Sequence, residues 1–230
     1  MNVAYFIHTG KVTQMMKDCL GSLRKHSDCR ILFYTDLDIA DVELIPIDYR
    51  RWNNRRMTHR IEVALDLPVL EDDQVLVLDT DLLFQSDPFN VFDVEFDLFY
   101  TTRHFESNFK VNAGVWGFRN NHKSLSLLKF MSEQANNPSW LPYLNFRKKH
   151  RLNDPRELDW WTNQDLLCVL SEHMPPVEVD LYDAGWKYNL CPRSGGGVWL
   201  NSSGIQDFYN RAEEAFVIHY KELKRIVKLL

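Results

Sequence analysis

The tightest constraint on this chain is the run 74–78 (QVLVL), almost wholly aliphatic and followed at once by Asp79-Thr80-Asp81. An unbroken apolar run of that length predicts a strand buried on both faces, and such strands belong to parallel sheets covered by helices on either side. The neighbouring segments agree. Residues 3–7 form another apolar run of strand length, and 12–25 sets Met15, Met16, Cys19, Leu20 and Leu23 at helical spacing. The runs 30–35 (RILFYT) and 42–47 read as the next two strands, closed by turn residues. Alternation of strands with helices predicts an α/β fold with a mostly parallel mixed sheet flanked by helices, and 230 residues suit a single domain.

Further along, 57–65 reads as a helix stopped by Pro68, and 96–101 and 111–118 as strands. Segments 125–131 and 163–170 carry helical periodicity, 177–181 reads as a late strand and 215–218 as the last one. Between them 136–161 reads as long and irregular, with a basic run from Arg147 to Arg151 and the pair Trp160-Trp161. Ser194-Gly195-Gly196-Gly197 is a turn, because a phosphate loop needs Gly-Lys-Ser/Thr at fixed spacing and the chain has none. The tail 221–230 reads as a basic amphipathic helix, expected to pack on the domain or to rest on a membrane surface.

Composition excludes several classes of function. A formal charge of −5 does not fit a protein that binds nucleic acid by neutralising phosphates. Cys19, Cys29, Cys168 and Cys191 are widely spaced without a C-x-x-C, which fits neither a zinc site nor a disulfide framework; they read as reduced core residues of a cytoplasmic protein. The first apolar run is too short for a secretory signal, and no stretch nears the roughly 20 apolar residues that cross a bilayer.

The chemistry centres on Asp79 and Asp81. Two residues apart in an extended segment, their carboxylates can face one way while Thr80 faces the other. Paired carboxylates at the carboxyl end of a buried strand suit a hard divalent cation shared with a diphosphate. The same pair also suits a solvated turn after a strand, where Asp is common. His219, following the last strand, would make the donor set more hospitable to Mn²⁺ than to Mg²⁺, although a lone His there is also a common packed residue. His8 and Thr9 end the first strand where a nucleotide would rest, and Asp36 ends the second. Arg60 reads as a partner for a phosphate or for an Asp carboxylate, or as one more surface Arg beside Arg50, Arg51, Arg55 and Arg56. Asn112-Ala113-Gly114 offers small residues for close approach of a ligand, or a bulge in a core strand. Asp165 reads as a helix-start residue favoured by the helix dipole. Trp160-Trp161 suits a sugar-stacking surface or ordinary core.

Taken together, the apolar strand with Asp79-Thr80-Asp81 resembles the metal-binding D-x-D of glycosyltransferases with the GT-A fold. Met57-Thr58-His59-Arg60 before Leu67-Pro68, Asn112-Ala113-Gly114, Asn163-Gln164-Asp165 and Ile218-His219-Tyr220 are similar, in the same order, to segments of glycosyltransferase family 8. The departures are Asn163 in place of an Asp and the lack of Gly-x-Lys-Pro-Trp after His219. The resemblance implies a retaining transfer of sugar from a nucleotide diphosphate sugar, a UDP-sugar foremost, to a glycan-type acceptor. It implies Mn²⁺ or Mg²⁺ held by Asp79, Asp81 and His219, and catalytic roles for Gln164 and Asp165. It further implies nucleotide contacts from His8, Thr9, Asp36, Arg60 and Thr80, sugar contacts from Asn112, Ala113 and Gly114, and diphosphate contacts from Lys221, Lys224 or Arg225. The nucleotide part would span about 1–100 and the acceptor and sugar part about 101–230.

Two other readings stay open at this point. A nucleotidyltransferase also uses carboxylates and a metal on an α/β sheet, but usually has a Gly-rich loop near the first strand, where only Gly10 stands. A non-catalytic nucleotide-sugar binding module would keep the fold without turnover. A phosphatase of the haloacid dehalogenase type is disfavoured, because Leu83 occupies the position where Thr or Val is expected and the Asp pair lies far from the N-terminus.

Overall fold

Strand side chains alternate between two faces, so each apolar strand of the chain feeds two separate cores. A computed structural model of the protein describes residues 1–48, 56–150, 155–191, 194–195, 198–199 and 202–219. Strand β1 (Asn2–Ile7) leads into α1 (Gln14–His26), whose N-terminus is capped by the Thr13 hydroxyl accepting from the Met16 N–H. Arg24, Lys25 and His26 sit in the last turn of α1, where the helix dipole favours cations. Then follow β2 (Arg30–Thr35), β3 (Glu43–Pro46), α2 (Arg56–Leu65), β4 (Gln74–Leu78) and the short β5 (Leu82–Phe84). The second half contributes β6 (Leu98–Thr102), β7 (Val111–Arg119), α3 (His122–Asn136), α4 (Leu141–Lys149) and α5 (Pro155–Leu170). The described chain closes with β8 (Leu181–Asp183), the two-residue pair β9 (Ser194–Gly195) and β10 (Val198–Trp199), α6 (Ser202–Ala212) and β11 (Val217–His219).

Seven strands form one sheet in the order β3-β2-β1-β4-β7-β6-β8. The β3, β2, β1 and β4 strands run parallel, β7 is antiparallel to both its neighbours, and β6 and β8 are parallel. On one face Val3, Tyr5, Leu32, Val75, Val77, Trp116 and Phe118 pack with Ile61 of α2, Leu127 and Leu128 of α3 and Leu166 and Leu167 of α5. On the other, Ala4, Phe6, Ile31, Phe33, Leu76 and Leu78 meet Met16, Cys19 and Leu23 of α1 and the Phe89–Phe92 turn. Covered on both faces, the sheet matches the expectation from the aliphatic runs, and all four cysteines are buried free thiols. No helix among the described residues is long and apolar enough to cross a membrane.

The chain moves outward from β1 through β2 to β3, then returns to the opposite side of β1 as β4. That reversal opens a crevice at the carboxyl ends of β1 and β4, the place where open α/β sheets receive ligands. Antiparallel β7 brings its own first residues to the same edge, with Leu78 opposite Val115 and the Asp79 N–H donating to the Gly114 carbonyl at 2.9 Å.

Several expectations need correction. The stretch 136–161 is not irregular: α4 occupies much of it, started by Pro142 in its first turn, where the missing N–H costs nothing. The rings of Phe146 and His150, one turn apart, meet at a tilt with centroids 4.4 Å apart, and both contact Phe109. Arg147, Lys148 and Lys149 then lie in the last turn rather than in a loop. The helix expected at 163–170 begins at Pro155, so Gln164 and Asp165 lie in its second half and the helix-start role for Asp165 does not hold. The late strand is Leu181–Asp183, because Asp97 accepts from the Asp180 N–H at 2.8 Å and delays entry into the sheet, leaving Val177 and Val179 packed as irregular chain. Ser194 and Gly195, expected in a turn, form β9 and pair antiparallel with β10; Gly196 and Gly197 lie outside the described residues. The tail 221–230 lies outside the described residues, as do the Arg-rich stretch 49–55 and the side chains of Trp160 and Trp161.

Candidate metal centre

The last strand reaches the site by pairing outside the main sheet. Antiparallel β11 lies on β5, with His219 opposite Leu82, and β5 directly follows Asp81. The His219 N–H donates to the Leu190 carbonyl at 2.8 Å, and Leu190 donates to Val217 at 2.9 Å, so the backbone at His219 is pinned from two sides. Its ring stands with Nε2 3.0 Å from Asp81 Oδ1 and 3.5 Å from Asp79 Oδ2. One ligand atom from each of Asp79, Asp81 and His219 lies within 4.8 Å of the others.

Two carboxylates and an imidazole form a donor set suited to a divalent cation of the Mn²⁺ type. The surroundings fit such a group. A Cβ on Gly114 would lie 2.6 Å from His219 Cε1, 2.7 Å from its Nδ1 and 3.1 Å from Asp79 Oδ2, so only glycine lets β7 pass beneath His219 and Asp79. Arg60, buried on α2, donates from Nη1 to Asp79 Oδ1 at 2.8 Å. It therefore is not a surface arginine, and its Nε and Nη2 are buried with no hydrogen-bond partner among the described residues. A guanidinium in that condition is a standing demand for an acceptor.

Beyond these three candidate ligands, the structure adds two residues that sequence reasoning missed. Asn189 Oδ1 lies 3.2 Å from His219 Nδ1, and Asn189 Nδ2 donates to the Asn112 carbonyl and to Thr101 Oγ1, each at 2.9 Å. Thr101 in turn bonds the carbonyls of Asn112 and Val115, both at 2.8 Å. These contacts exist because the β6–β7 register slips between Tyr100 and Thr102. The bulge foreseen for Asn112-Ala113-Gly114 is thus present, and the side chain that comes close to Gly114 is that of His219. No motif pointed to Asn189, which closes the short helical turn Trp186–Tyr188.

The remaining candidates divide. Thr80 Oγ1 lies 3.3 Å from His8 Nδ1, and His8 Nε2 is 3.1 Å from the Lys11 carbonyl, so Thr80 faces the β1 end while its two Asp neighbours face His219. Thr9 follows on the same edge, and Asp36 is exposed at the end of β2. Asn112 and Ala113 are buried at the start of β7. Gln164 and Asp165 are buried on α5, which packs against β7. No hydrogen bond among the described residues joins either to the ligand trio. Burial pushes the Asp165 carboxyl up to about 8 against the opposing pull of Arg147. Asn163 Nδ2, Gln164 Nε2 and Asp165 Oδ1 are buried and have no hydrogen-bond partner among the described residues. Lys221, Lys224 and Arg225 lie outside the described residues.

No family model matches the chain, and no curated protein matches it in sequence. Solved structures do match in shape. A glycosyltransferase involved in glycosylation of the major capsid of PBCV-1 is 12% identical, with a TM-score of 0.56 over 96% of this chain and 93% of that one. The apo form of the glycosyltransferase GlyE of Streptococcus pneumoniae TIGR4 is 16% identical with a TM-score of 0.58, over 95% of this chain and 54% of that one. The chain thus spans about half of GlyE. The galactosyltransferase LgtC, solved with donor and acceptor sugar analogues, is 12% identical with a TM-score of 0.58, over 96% of this chain and 87% of that one. At such identities the likeness is one of architecture, and the architecture of this chain is the GT-A fold.

Proposed function

We propose that this chain is a metal-dependent glycosyltransferase that moves a sugar from a nucleotide diphosphate sugar, a UDP-sugar foremost, to a glycan-type acceptor with retention of anomeric configuration. The observation that carries the reading is the convergence of Asp79, Asp81 and His219 at the carboxyl edge of the sheet, beside the β1–β4 crevice. A divalent cation held by these three would supply Lewis-acid stabilisation of the departing nucleoside diphosphate. Under this reading Arg60 holds Asp79 through one arm of its fork and offers its other donors to the donor substrate. His8, Thr9, Thr80 and Asp36 line the nucleotide side; Lys221, Lys224 or Arg225 meet the diphosphate. Asn112, Ala113 and Gly114 floor the sugar subsite, and Gln164 and Asp165 act at the sugar.

The unpartnered polar atoms of Asn163, Gln164 and Asp165 support a polar ligand, because a buried donor or acceptor left without a partner costs about 1–3 kcal/mol. With its carboxyl pushed up to about 8, Asp165 is protonated at neutral pH and can donate a hydrogen bond to a sugar hydroxyl. The nucleotide part corresponds to about 1–100 and the sugar and acceptor part to about 101–230. The reading extends to a cytoplasmic enzyme whose tail, 221–230, packs on the domain or touches a membrane surface. Co-sedimentation with anionic vesicles that depends on the tail decides between those two.

The test is turnover of a panel of sugar nucleotides with Mn²⁺, as transfer or as donor hydrolysis, in the parent and in Asp81→Ala. We expect turnover in the parent, abolished by chelation and lowered at least about 100-fold by the substitution, the usual scale for loss of a group that stabilises transition-state charge. Turnover that survives both treatments refutes the metal mechanism. Tight nucleotide-sugar binding without turnover across many acceptors favours the binding-module alternative instead.

A further inference from the structure

The polar atoms behind His219 form a chain whose direction can be worked out from its fixed end. The carbonyl oxygen of Asn112 can only accept, so the Asn189 atom 2.9 Å from it must be the amide nitrogen. The same nitrogen donates its second hydrogen to Thr101 Oγ1 at 2.9 Å, and the Thr101 hydroxyl hydrogen goes to the Asn112 and Val115 carbonyls. With both amide hydrogens committed, the atom Asn189 turns to the imidazole, 3.2 Å from Nδ1, is its carbonyl oxygen. That oxygen can only accept, so His219 Nδ1 carries a hydrogen, which leaves Nε2 as the nitrogen able to offer a lone pair to a cation. Nε2 is the nitrogen that faces Asp81 and Asp79.

We infer that Asn189, anchored by the Thr101 hydroxyl and the Asn112 carbonyl, is a positioning residue that holds the His219 ring with Nδ1–H toward itself and the ligand nitrogen Nε2 toward the carboxylate pair. The inference rests on the reading of Asp79, Asp81 and His219 as metal ligands. Metal-bound imidazoles commonly donate their other N–H to an outer partner, which fixes tautomer and ring angle. Here the partner is a side-chain amide, and its own orientation is set by a backbone bulge rather than by solvent. Asn189, Thr101 and Asn112 are all buried, so no water competes for these bonds. The bulge at Thr101 thereby acquires a use: it frees two β7 carbonyls from the ladder and turns them into the anchor of the relay.

The experiment has two readouts. In protein carrying ¹⁵N-labelled histidine and saturated with diamagnetic Zn²⁺, long-range ¹H–¹⁵N correlation identifies which His219 nitrogen keeps its hydrogen, with His219→Gln assigning the signal. We expect Nδ1–H in the parent, exchanging slowly with solvent, and an Nδ1–H that exchanges several-fold faster in Asn189→Leu. In parallel, Mn²⁺ titration followed by electron paramagnetic resonance should show affinity about 10–100-fold weaker in Asn189→Leu, the usual scale for removing an outer-shell partner. Thr101→Val, which keeps Asn189 but loosens its anchor, should show a smaller loss in the same direction. Titrations are read on the folded fraction, established by circular dichroism, so a variant that folds poorly is not mistaken for one that binds poorly. An Nε2–H in the Zn²⁺-loaded parent, or Mn²⁺ affinity within twofold of the parent in Asn189→Leu, overturns the inference. Absence of Mn²⁺ and Zn²⁺ binding in the parent rejects the metal reading and the positioning role with it, whereas binding that is intact but indifferent to Asn189→Leu rejects the role alone.

Discussion

Adding one methyl group at Gly114 is the sharpest probe of the candidate site. Its Cβ would lie 2.6 Å from Cε1 and 2.7 Å from Nδ1 of His219, against an ordinary carbon contact of roughly 3.5 Å, so the ring must give by about 1 Å. Little is available. The His219 backbone is pinned to Leu190 and lies opposite Leu82, and Nδ1 is engaged by Asn189. Forcing an extra methyl into such a place costs about 1–3 kcal/mol. For a chain of this size that is a Tm lowered by roughly 2–12 °C. Displacement of a ligand nitrogen should in addition weaken Mn²⁺ binding by about 10–100-fold, as loss of an outer-shell partner does. Gly117→Ala separates the two effects. Its Cβ would meet the Val75 carbonyl oxygen and Phe99 Cε1 in the sheet interior, with no ligand atom among its nearest neighbours. The comparison uses thermal melts and Mn²⁺ titration of folded protein for both variants. Gly114→Ala should lose affinity as well as stability, and Gly117→Ala stability alone. Equal Mn²⁺ affinities in Gly114→Ala and the parent would refute the argument that glycine is needed beneath the ligands.

Two further outcomes follow from buried polar groups away from the ligand trio. The unfolded chain releases the Asp165 proton near 3.8, while the folded chain keeps it to about 8. Parent stability therefore falls as pH rises through that window, and Asp165→Asn should remove the decline, with a ceiling on the order of several kcal/mol; parallel curves of Tm against pH for both proteins would contradict the assignment. On the same face of the sheet, the Tyr34 hydroxyl accepts from the Asp48 N–H at 2.6 Å and lies 2.9 Å from His59 Nε2. Tyr34→Phe should lower stability by about 1–3 kcal/mol, seen as a reduced urea midpoint with an unchanged slope, and should leave Mn²⁺ affinity as it is.

What the amino-acid order determines by itself is local and periodic. The aliphatic run 74–78 can only be satisfied between two covered faces, and β4 has those bounds, with Val75 to Leu78 fully buried. RILFYT likewise forms β2 with the expected bounds. Asp79 and Asp81 stand where a strand of that kind must end, so their place at the sheet edge needed no tertiary information. Where aromatic and basic residues shared a segment, as in 141–149, the period was blurred, and a helix was read as irregular chain. The rings of Phe146 and His150 meet Phe109 edge-on and tilted, and that partner is far away in sequence.

Only the tertiary structure decided what surrounds the acidic pair. The pairing of β11 on β5 carries His219 from the far end of the chain to within 3.0 Å of Asp81, and nothing in either three-residue segment announces the other. Arg60 became a buried partner of Asp79 rather than one more surface charge through the packing of α2 on the sheet. Asn189 and Thr101 escaped notice because their roles depend on a register slip and on which carbonyls it leaves open. Hydrophobic periodicity records how much of each side chain is buried and toward which face. Hydrogen-bond direction between segments distant in sequence is settled by the relative placement of whole elements, and single-residue patterns carry no record of it.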